Sequence, residues 1–199
     1  MPWGLTRFHQ SGQSHFVTFC CYHGHRLLAT DESCRIFESA LERVRRGYRL
    51  YVYGYVVMPE HVHLLLSEPS CPTQAKIGLE WATGPQHYTL ADALKSLKQG
   101  VSRRLLGNGE HFWQKRYYDF NIRNYPQFVE KLRYIHRNPV KRGLCERPED
   151  WEWSSFRHYT TGCEGRVDIE SEWTARKRER VAGTLCPAIE LPPSSQKRA

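Results

Sequence analysis

Two histidines separated by one residue, His61 and His63, combine residue type and spacing in a way that suits metal chemistry. They lie in the stretch Tyr51–Ser67, YVYGYVVMPEHVHLLLS, whose β-branched and aromatic residues predict two strands joined by a Pro-containing turn at 58–60. Alternate side chains of a strand share a face, so we expect both imidazoles to point the same way. Such a pair can hold a divalent metal at an accessible position after a turn. The alternative is a pair of polar residues on a half-solvated strand, in a chain with 10 histidines.

Tyr134 and Asn138 form a second candidate set on a helix predicted from Pro126 to Arg137. They are one helical turn apart and share a face beside the apolar stripe of that helix. If the helix docks beside the histidine strand, the amide oxygen becomes a third metal ligand and the phenol a nucleophile. The alternatives are a tyrosine that only packs and an asparagine that only ends the helix before Pro139.

The elements that must position these residues follow the order β, α, β, β, α, β and then the further helix. Besides the histidine strands, the predicted segments are a strand His15–Tyr22, a helix Cys34–Arg46 capped by Asp31 or Ser33, a helix from Thr89 to Leu106 and a strand Phe112–Ile122. This order predicts an α+β fold of the ferredoxin-like, split βαβ type. Its antiparallel sheet carries the two main helices on one face, and the additional C-terminal helix carries Tyr134.

The length of 199 residues predicts one domain, residues 1–160, with a loop or insertion at about 68–88 and a loosely ordered tail at 161–199. No segment approaches the roughly 18 apolar residues of a membrane span, and no signal peptide is recognisable, so we expect a cytoplasmic protein. The seven cysteines form no CxxC pair, which predicts reduced thiols.

A formal charge of +8 indicates a polyanionic partner. Basic residues are concentrated between Lys95 and Arg147, and aromatic residues are interleaved with them. Basic side chains can bind phosphates, and aromatic rings can stack on unpaired bases. This combination favours single-stranded or hairpin nucleic acid over plain duplex. The alternative is a solvated basic face over an aromatic core.

Five motifs in a fixed order carry a resemblance to a known family. They are MPEHVHLLLSEP, SLKQGVSRRL, HFWQKRYYDFNIRN and YIHRNPVKRGL followed by WEWSSFRHY. Together they resemble the REP-associated tyrosine transposases, a branch of the single-tyrosine HUH transposases (the IS200-like group), over roughly Arg7 to Tyr159.

The resemblance implies a transposase that nicks and rejoins single-stranded DNA at palindromic hairpins through a 5′-phosphotyrosine. It implies Mg²⁺ or Mn²⁺ on His61 and His63, and Tyr134 as the nucleophile. Related transposases have a Gln one turn after the tyrosine as the third ligand, and Asn138, shorter by one methylene, stands there. Two alternatives stay open, namely a non-catalytic hairpin-binding protein and a metal-dependent phosphodiesterase in which water attacks.

The expected partner is single-stranded or hairpin DNA, bound by a monomer or a homodimer. The candidate phosphate-binding residues are Arg103, Arg104, Lys115, Arg116, Arg133, Arg137, Lys141 and Arg142, and the candidate base-stacking residues are Trp113, Tyr117 and Tyr118.

Overall fold

The fold is built on an antiparallel sheet of four strands. The computed structural model describes residues 14–68, 88–106 and 111–181. The strands are β1 (Ser14–Cys20), β2 (Tyr51–Val57), β3 (His61–Ser67) and β4 (Tyr118–Ile122). Their order across the sheet is β2-β3-β1-β4, and every neighbouring pair is antiparallel. The two strands and the turn predicted within 51–67 are therefore confirmed.

Three helices of substantial length pack on this sheet, and two shorter helices follow them. They are α1 (Asp31–Gly47), α2 (Leu90–Leu105), α3 (Tyr125–Lys141), α4 (Phe156–Thr161) and α5 (Glu172–Val181). The order β1-α1-β2-β3-α2-β4 with this strand arrangement is the ferredoxin-like split βαβ fold, as the sequence predicts.

The sheet separates two apolar layers. One layer contains β3 residues Val62 and Leu64 with the buried faces of α1 and α2. The other contains Leu65 of β3 with Phe16 of β1 and Ile135 of α3. Since strand side chains alternate, the odd-numbered β3 residues face α3, and this places the two histidines beneath that helix.

Threonine caps begin the first two helices. Thr89 accepts a hydrogen bond from the Asp92 amide, as predicted for α2. For α1 the predicted caps are wrong, because Thr30 accepts from the Ser33 amide and the helix begins three residues earlier than expected.

Asn124 caps the start of helix α3, and the helix does not end at Asn138 and Pro139. Proline removes one amide donor, yet the next turn still closes when the Arg142 amide donates to the Asn138 carbonyl at 3.0 Å. Asn138 and Pro139 are both buried, so tertiary packing outweighs the local break.

The last strand of the sheet is shorter than predicted. Only 118–122 is β4, while Trp113 forms an isolated bridge with Cys21 and turns into the core, where its ring packs 5.0 Å from that of Phe19. Apolar burial outweighs the strand propensity of the aromatic run here.

The segment after α3 packs along β2. The Trp151 indole donates to the Val57 carbonyl at 3.0 Å, and the Val57 amide donates to the Trp153 carbonyl at 2.9 Å. Val167 and Ile169 are also buried. The described residues after 160 therefore differ from the predicted loose tail, because apolar side chains anchor them to the core.

Some sequence predictions concern residues outside the described ranges. These are the loop at 69–87 and the end of the chain from 182 onward. Among the helices of the described ranges, none is both long and apolar enough to cross a membrane. The five cysteines in those ranges are free.

Candidate active site

His61 and His63 lie side by side on the α3 face of β3. Their Nε2 atoms are 3.1 Å apart, which confirms that the two rings share a face. Both residues are buried, with exposed fractions of 8% and 4%, so the expected accessibility of the pair is wrong. Helix α3 covers this end of the strand and removes water from the rings.

The second ring nitrogen of each imidazole, Nδ1, lies within hydrogen-bond distance of a side-chain oxygen. His61 Nδ1 lies 3.2 Å from Glu60 Oε1, and His63 Nδ1 lies 2.7 Å from Thr18 Oγ1 on the neighbouring strand. An ionised carboxylate only accepts hydrogen bonds, so His61 donates through Nδ1 and keeps a lone pair on Nε2. Partners of this kind orient metal-binding histidines in proteins.

Asn138 brings an amide to the same point from α3. Its Nδ2 lies 3.1 Å from His63 Nε2, while its Oδ1 is buried without a hydrogen-bond partner. A half-turn of the amide exchanges these two atoms. The oxygen would then face the two histidine nitrogens.

These three side chains fit a divalent metal. Two nitrogen ligands about 2.1 Å from one ion and at right angles are about 3 Å apart, close to the Nε2 separation observed. Burial lowers the pKa of His61, and burial followed by the His61 charge lowers the pKa of His63 to about 3, so both rings are neutral donors. Imidazole nitrogens suit zinc, copper, iron and nickel, whereas an amide oxygen suits magnesium, calcium and manganese, so the three side chains form a mixed donor set.

The amide of Asn138 is a third side chain that is placed to act as a donor. In the part of the chain that the structure describes, no group of three His, Cys, Asp or Glu side chains is placed to hold a metal. The Asn138 oxygen is buried without a partner, and a cation beside the two histidines would satisfy it.

Tyr134 lies one turn before Asn138 and borders the same site. Its ring centre is 5.2 Å from that of His63 and 5.8 Å from that of Phe16, and the residue is 38% exposed. Lys141 Nζ lies 5.6 Å from the ring centre. The predicted face-sharing of the tyrosine and the asparagine is thus confirmed, and a polymer in solvent can reach the phenol.

The predicted phosphate-binding residues are exposed but scattered. Arg103 and Arg104 end α2 on the opposite face of the sheet from Tyr134. Helical geometry turns Arg133 and Arg137 away from the sheet. The remaining ones are Lys115, Arg116, Lys141 and Arg142, of which Lys141 and Arg142 lie on the side of α3 that carries the tyrosine.

The predicted stacking residues divide between core and surface. Trp113 is only 8% exposed, and its indole donates to the Lys98 carbonyl, so the prediction that it stacks on bases is wrong for this conformation. Tyr117 is half-buried against the core. Tyr118 is 45% exposed and faces the Phe16 ring.

Sequence reasoning missed three residues of the site: Thr18, Glu60 and Lys131. Thr18 is opposite His63 only because of the β1–β3 register, which no local pattern specifies. Glu60 is adjacent to His61 and could have been suspected. Lys131 precedes Tyr134 by one turn, and its Nζ lies 5.7 Å from the Phe16 ring centre, so helical spacing was an available signal.

Comparisons with known proteins agree with this architecture. Residues 9–138 match the family model described as IS200-like transposase. A putative REP-associated tyrosine transposase of Haemophilus influenzae is 28% identical over 120 residues, which are 60% of this chain and 66% of that protein. The REP-associated tyrosine transposase of Escherichia coli K12 is 25% identical over 150 residues, which are 75% of this chain and 80% of that protein.

A solved structure shares the fold. It is a REP-associated tyrosine transposase bound to a REP hairpin, and it superposes with a TM-score of 0.64 over 84% of this chain and 92% of that one, at 22% identity.

Proposed function

The chain belongs to the IS200-like transposase family, and from this premise we propose that it cuts and rejoins single-stranded DNA at hairpins with Tyr134 as the nucleophile. The products of cutting are a 5′-phosphotyrosine and a free 3′-hydroxyl. The covalent link preserves the energy of the phosphodiester bond, so rejoining needs no ATP.

One observation carries this proposal. The His63 ring contacts both the Asn138 amide, at 3.1 Å from Nε2, and the Tyr134 ring, at 5.2 Å between centres. A candidate metal ligand and an exposed phenol from one helix therefore meet the histidine pair of a distant strand. A tyrosine that only packs has no need of this neighbourhood.

The substrate assignment rests on charge and on a relative. The formal charge of +8 favours a polyanion, and Lys131 and Lys141 stand on either side of Tyr134 along α3. The relative of similar fold was solved with a REP hairpin bound. Hairpin DNA with unpaired flanking nucleotides is accordingly the substrate we propose.

The chemical step is a transesterification. Tyr134 Oη attacks the scissile phosphorus, and the bond from phosphorus to the 3′ oxygen breaks. The proton lost by the phenol is taken up by the leaving 3′ oxygen. Mn²⁺ or Mg²⁺, held by His61, His63 and Asn138, would supply charge neutralisation to the scissile phosphate. The chain's own contribution is to hold His61, His63 and Asn138 as ligands and to keep water from the rings.

The test is adduct formation on a labelled hairpin oligonucleotide with Mn²⁺, read on a denaturing gel. Wild type should give a slow-migrating protein–DNA adduct, and Tyr134→Phe and His61→Ala should give none. Tyr118→Phe is the matched control, because Tyr118 is also exposed and also borders the Phe16 ring. It should form the adduct as wild type does.

The other outcomes identify the rival functions. Binding without any adduct would indicate a hairpin-binding protein. Cutting by Tyr134→Phe would indicate a phosphodiesterase that uses water.

A further inference from the structure

Glu60 occupies the junction between the histidine strand and α3. Its Oε1 lies 3.2 Å from His61 Nδ1, and the same oxygen accepts a hydrogen bond from Nη2 of Arg142, the residue that follows α3. One carboxylate oxygen thus joins a candidate metal ligand to the helix that carries the candidate nucleophile.

We propose that Glu60 is a positioning residue with two tasks: it orients His61 for metal binding, and through Arg142 it fixes α3 against β3. The proposal rests on the function proposed above. Glu60 touches neither the DNA phosphate nor the metal in this assignment, and it acts through the two residues it contacts.

The backbone around Glu60 is well suited to this role. Its carbonyl accepts from the Cys21 amide at 2.8 Å, and the preceding Pro59 carbonyl accepts from the Leu28 amide at 2.9 Å. Backbone hydrogen bonds therefore anchor the turn to two other segments, independently of the Glu60 side chain. Because the turn is anchored, the Glu60 carboxylate has a defined position from which it can orient His61 and Arg142.

The contacts of α3 follow one stripe of the helix. Tyr134, Asn138 and Arg142 are spaced by four residues, so they project from the same side. Asn138 contacts His63 directly, and Arg142 reaches His61 through Glu60. Asn138 is thus fixed to His63 and Arg142 to His61. The Tyr134 phenol lies one helical turn before Asn138.

The Glu60–Arg142 pair is open to solvent on its arginine side. The Glu60 side chain is 19% exposed, whereas that of Arg142 is 54% exposed. Surface ion pairs contribute little to folding stability. We therefore expect removal of the pair to change metal affinity and reaction rate more than the melting temperature.

The test compares Glu60→Ala, Glu60→Gln, Arg142→Met and Arg142→Lys in two assays. The first is Mn²⁺ affinity of the DNA-free protein, measured by electron paramagnetic resonance. The second is the rate of adduct formation at saturating Mn²⁺ and saturating hairpin DNA, so that a loss of DNA affinity alone does not lower it. The control is Glu149→Ala, which removes the exposed Arg147–Glu149 pair and should change neither quantity.

Glu60→Ala should weaken Mn²⁺ binding by about 10-fold to 100-fold, the usual cost of losing an outer partner of a ligand. Glu60→Gln keeps an oxygen for His61 Nδ1 and should retain most of the affinity, but it removes the charge opposite Arg142 and should form adduct slowly. Arg142→Met should also leave the affinity unchanged and slow the adduct, and Arg142→Lys should recover part of the rate.

Wild-type Mn²⁺ affinity in Glu60→Ala would overturn the first task, and a wild-type adduct rate in Arg142→Met would overturn the second. These failures differ from failure of the proposed function, in which wild type itself forms no adduct. In that case the affinity of Glu60→Ala relative to wild type still decides whether Glu60 orients His61, and a wild type that binds no Mn²⁺ overturns that task.

Discussion

Asn138 Nδ2 lies 3.1 Å from His63 Nε2, although the two residues are 75 positions apart in the chain. The contact joins α3 to β3 at the candidate metal centre. The other atom of the amide, Oδ1, is buried without a partner, and a bound cation would satisfy it.

Replacement of Asn138 should therefore change metal affinity in both directions. Asn138→Leu removes the oxygen and should weaken Mn²⁺ binding by about tenfold or more, whereas Asn138→Asp supplies a carboxylate and should strengthen it. Titration monitored by electron paramagnetic resonance measures both. Asn121→Leu is a matched control, because the Asn121 oxygen is also buried without a partner but lies on β4. Equal affinities for Asn138→Leu and wild type would exclude Asn138 as a ligand.

Gly54 of β2 lies directly against the Leu132 side chain of α3. A Cβ at this position would lie 2.6 Å from Leu132 Cδ1 of α3. Gly54→Ala should therefore destabilise the protein by about 1–3 kcal/mol and slow adduct formation by displacing the helix. Leu132→Ala in the same chain should restore part of the adduct rate by making room. Urea denaturation and the gel assay measure the two effects, and an unaffected Gly54→Ala variant would contradict this packing.

Lysines beside Tyr134 should contribute more to DNA binding than the outward-facing arginines of α3. Lys131→Gln and Lys141→Gln should each weaken hairpin binding and reduce the log–log salt slope by about 0.7 for each single-strand phosphate that the variant no longer neutralises. Arg133→Gln and Arg137→Gln should have smaller effects. Fluorescence anisotropy at several salt concentrations decides between them, and a larger reduction in the arginine variants would place the DNA on the outer face of the helix.

Glu38 should make stability depend on pH. Burial raises the pKa of its carboxyl, and Oε1 accepts a hydrogen bond from the Tyr55 hydroxyl at 2.7 Å. The folded state thus holds this proton more tightly than the unfolded state, so stability falls as pH rises from about 4.5 through the raised pKa. Glu38→Gln should remove this dependence. The free energy of unfolding of the variant, relative to that of wild type, should therefore be higher at pH 8 than at pH 4. Urea denaturation at both values tests it, and a constant difference would contradict it.

Local patterns in the sequence were sufficient for much of the fold and for part of the site. Strand alternation placed His61 and His63 on one face, and helical spacing placed Tyr134 beside Asn138. The predicted order of elements, which fixes the ferredoxin-like fold, is also confirmed.

Features that depend on long-range packing were not accessible from the sequence. The pairing of Thr18 with His63 follows from the strand register. Trp113 enters the core, although the basic and aromatic composition of its segment also suits a base-stacking surface. Helix α3 continues past Pro139 because burial compensates for the missing amide donor. Val167 and Ile169 give the polar C-terminal segment an apolar anchor that composition does not reveal.

The most direct test of the central claim is mass spectrometry of the trypsin-digested DNA adduct. Cleavage after Arg133 and Arg137 releases Tyr134–Arg137, a peptide in which Tyr134 is the only hydroxyl-bearing side chain. We predict that this peptide carries the added mass of a 5′-linked nucleotide and that Asn138→Leu lowers its yield. The nucleotide on another peptide, or hairpin cleavage with no modified peptide, would contradict the assignment of Tyr134 as the nucleophile.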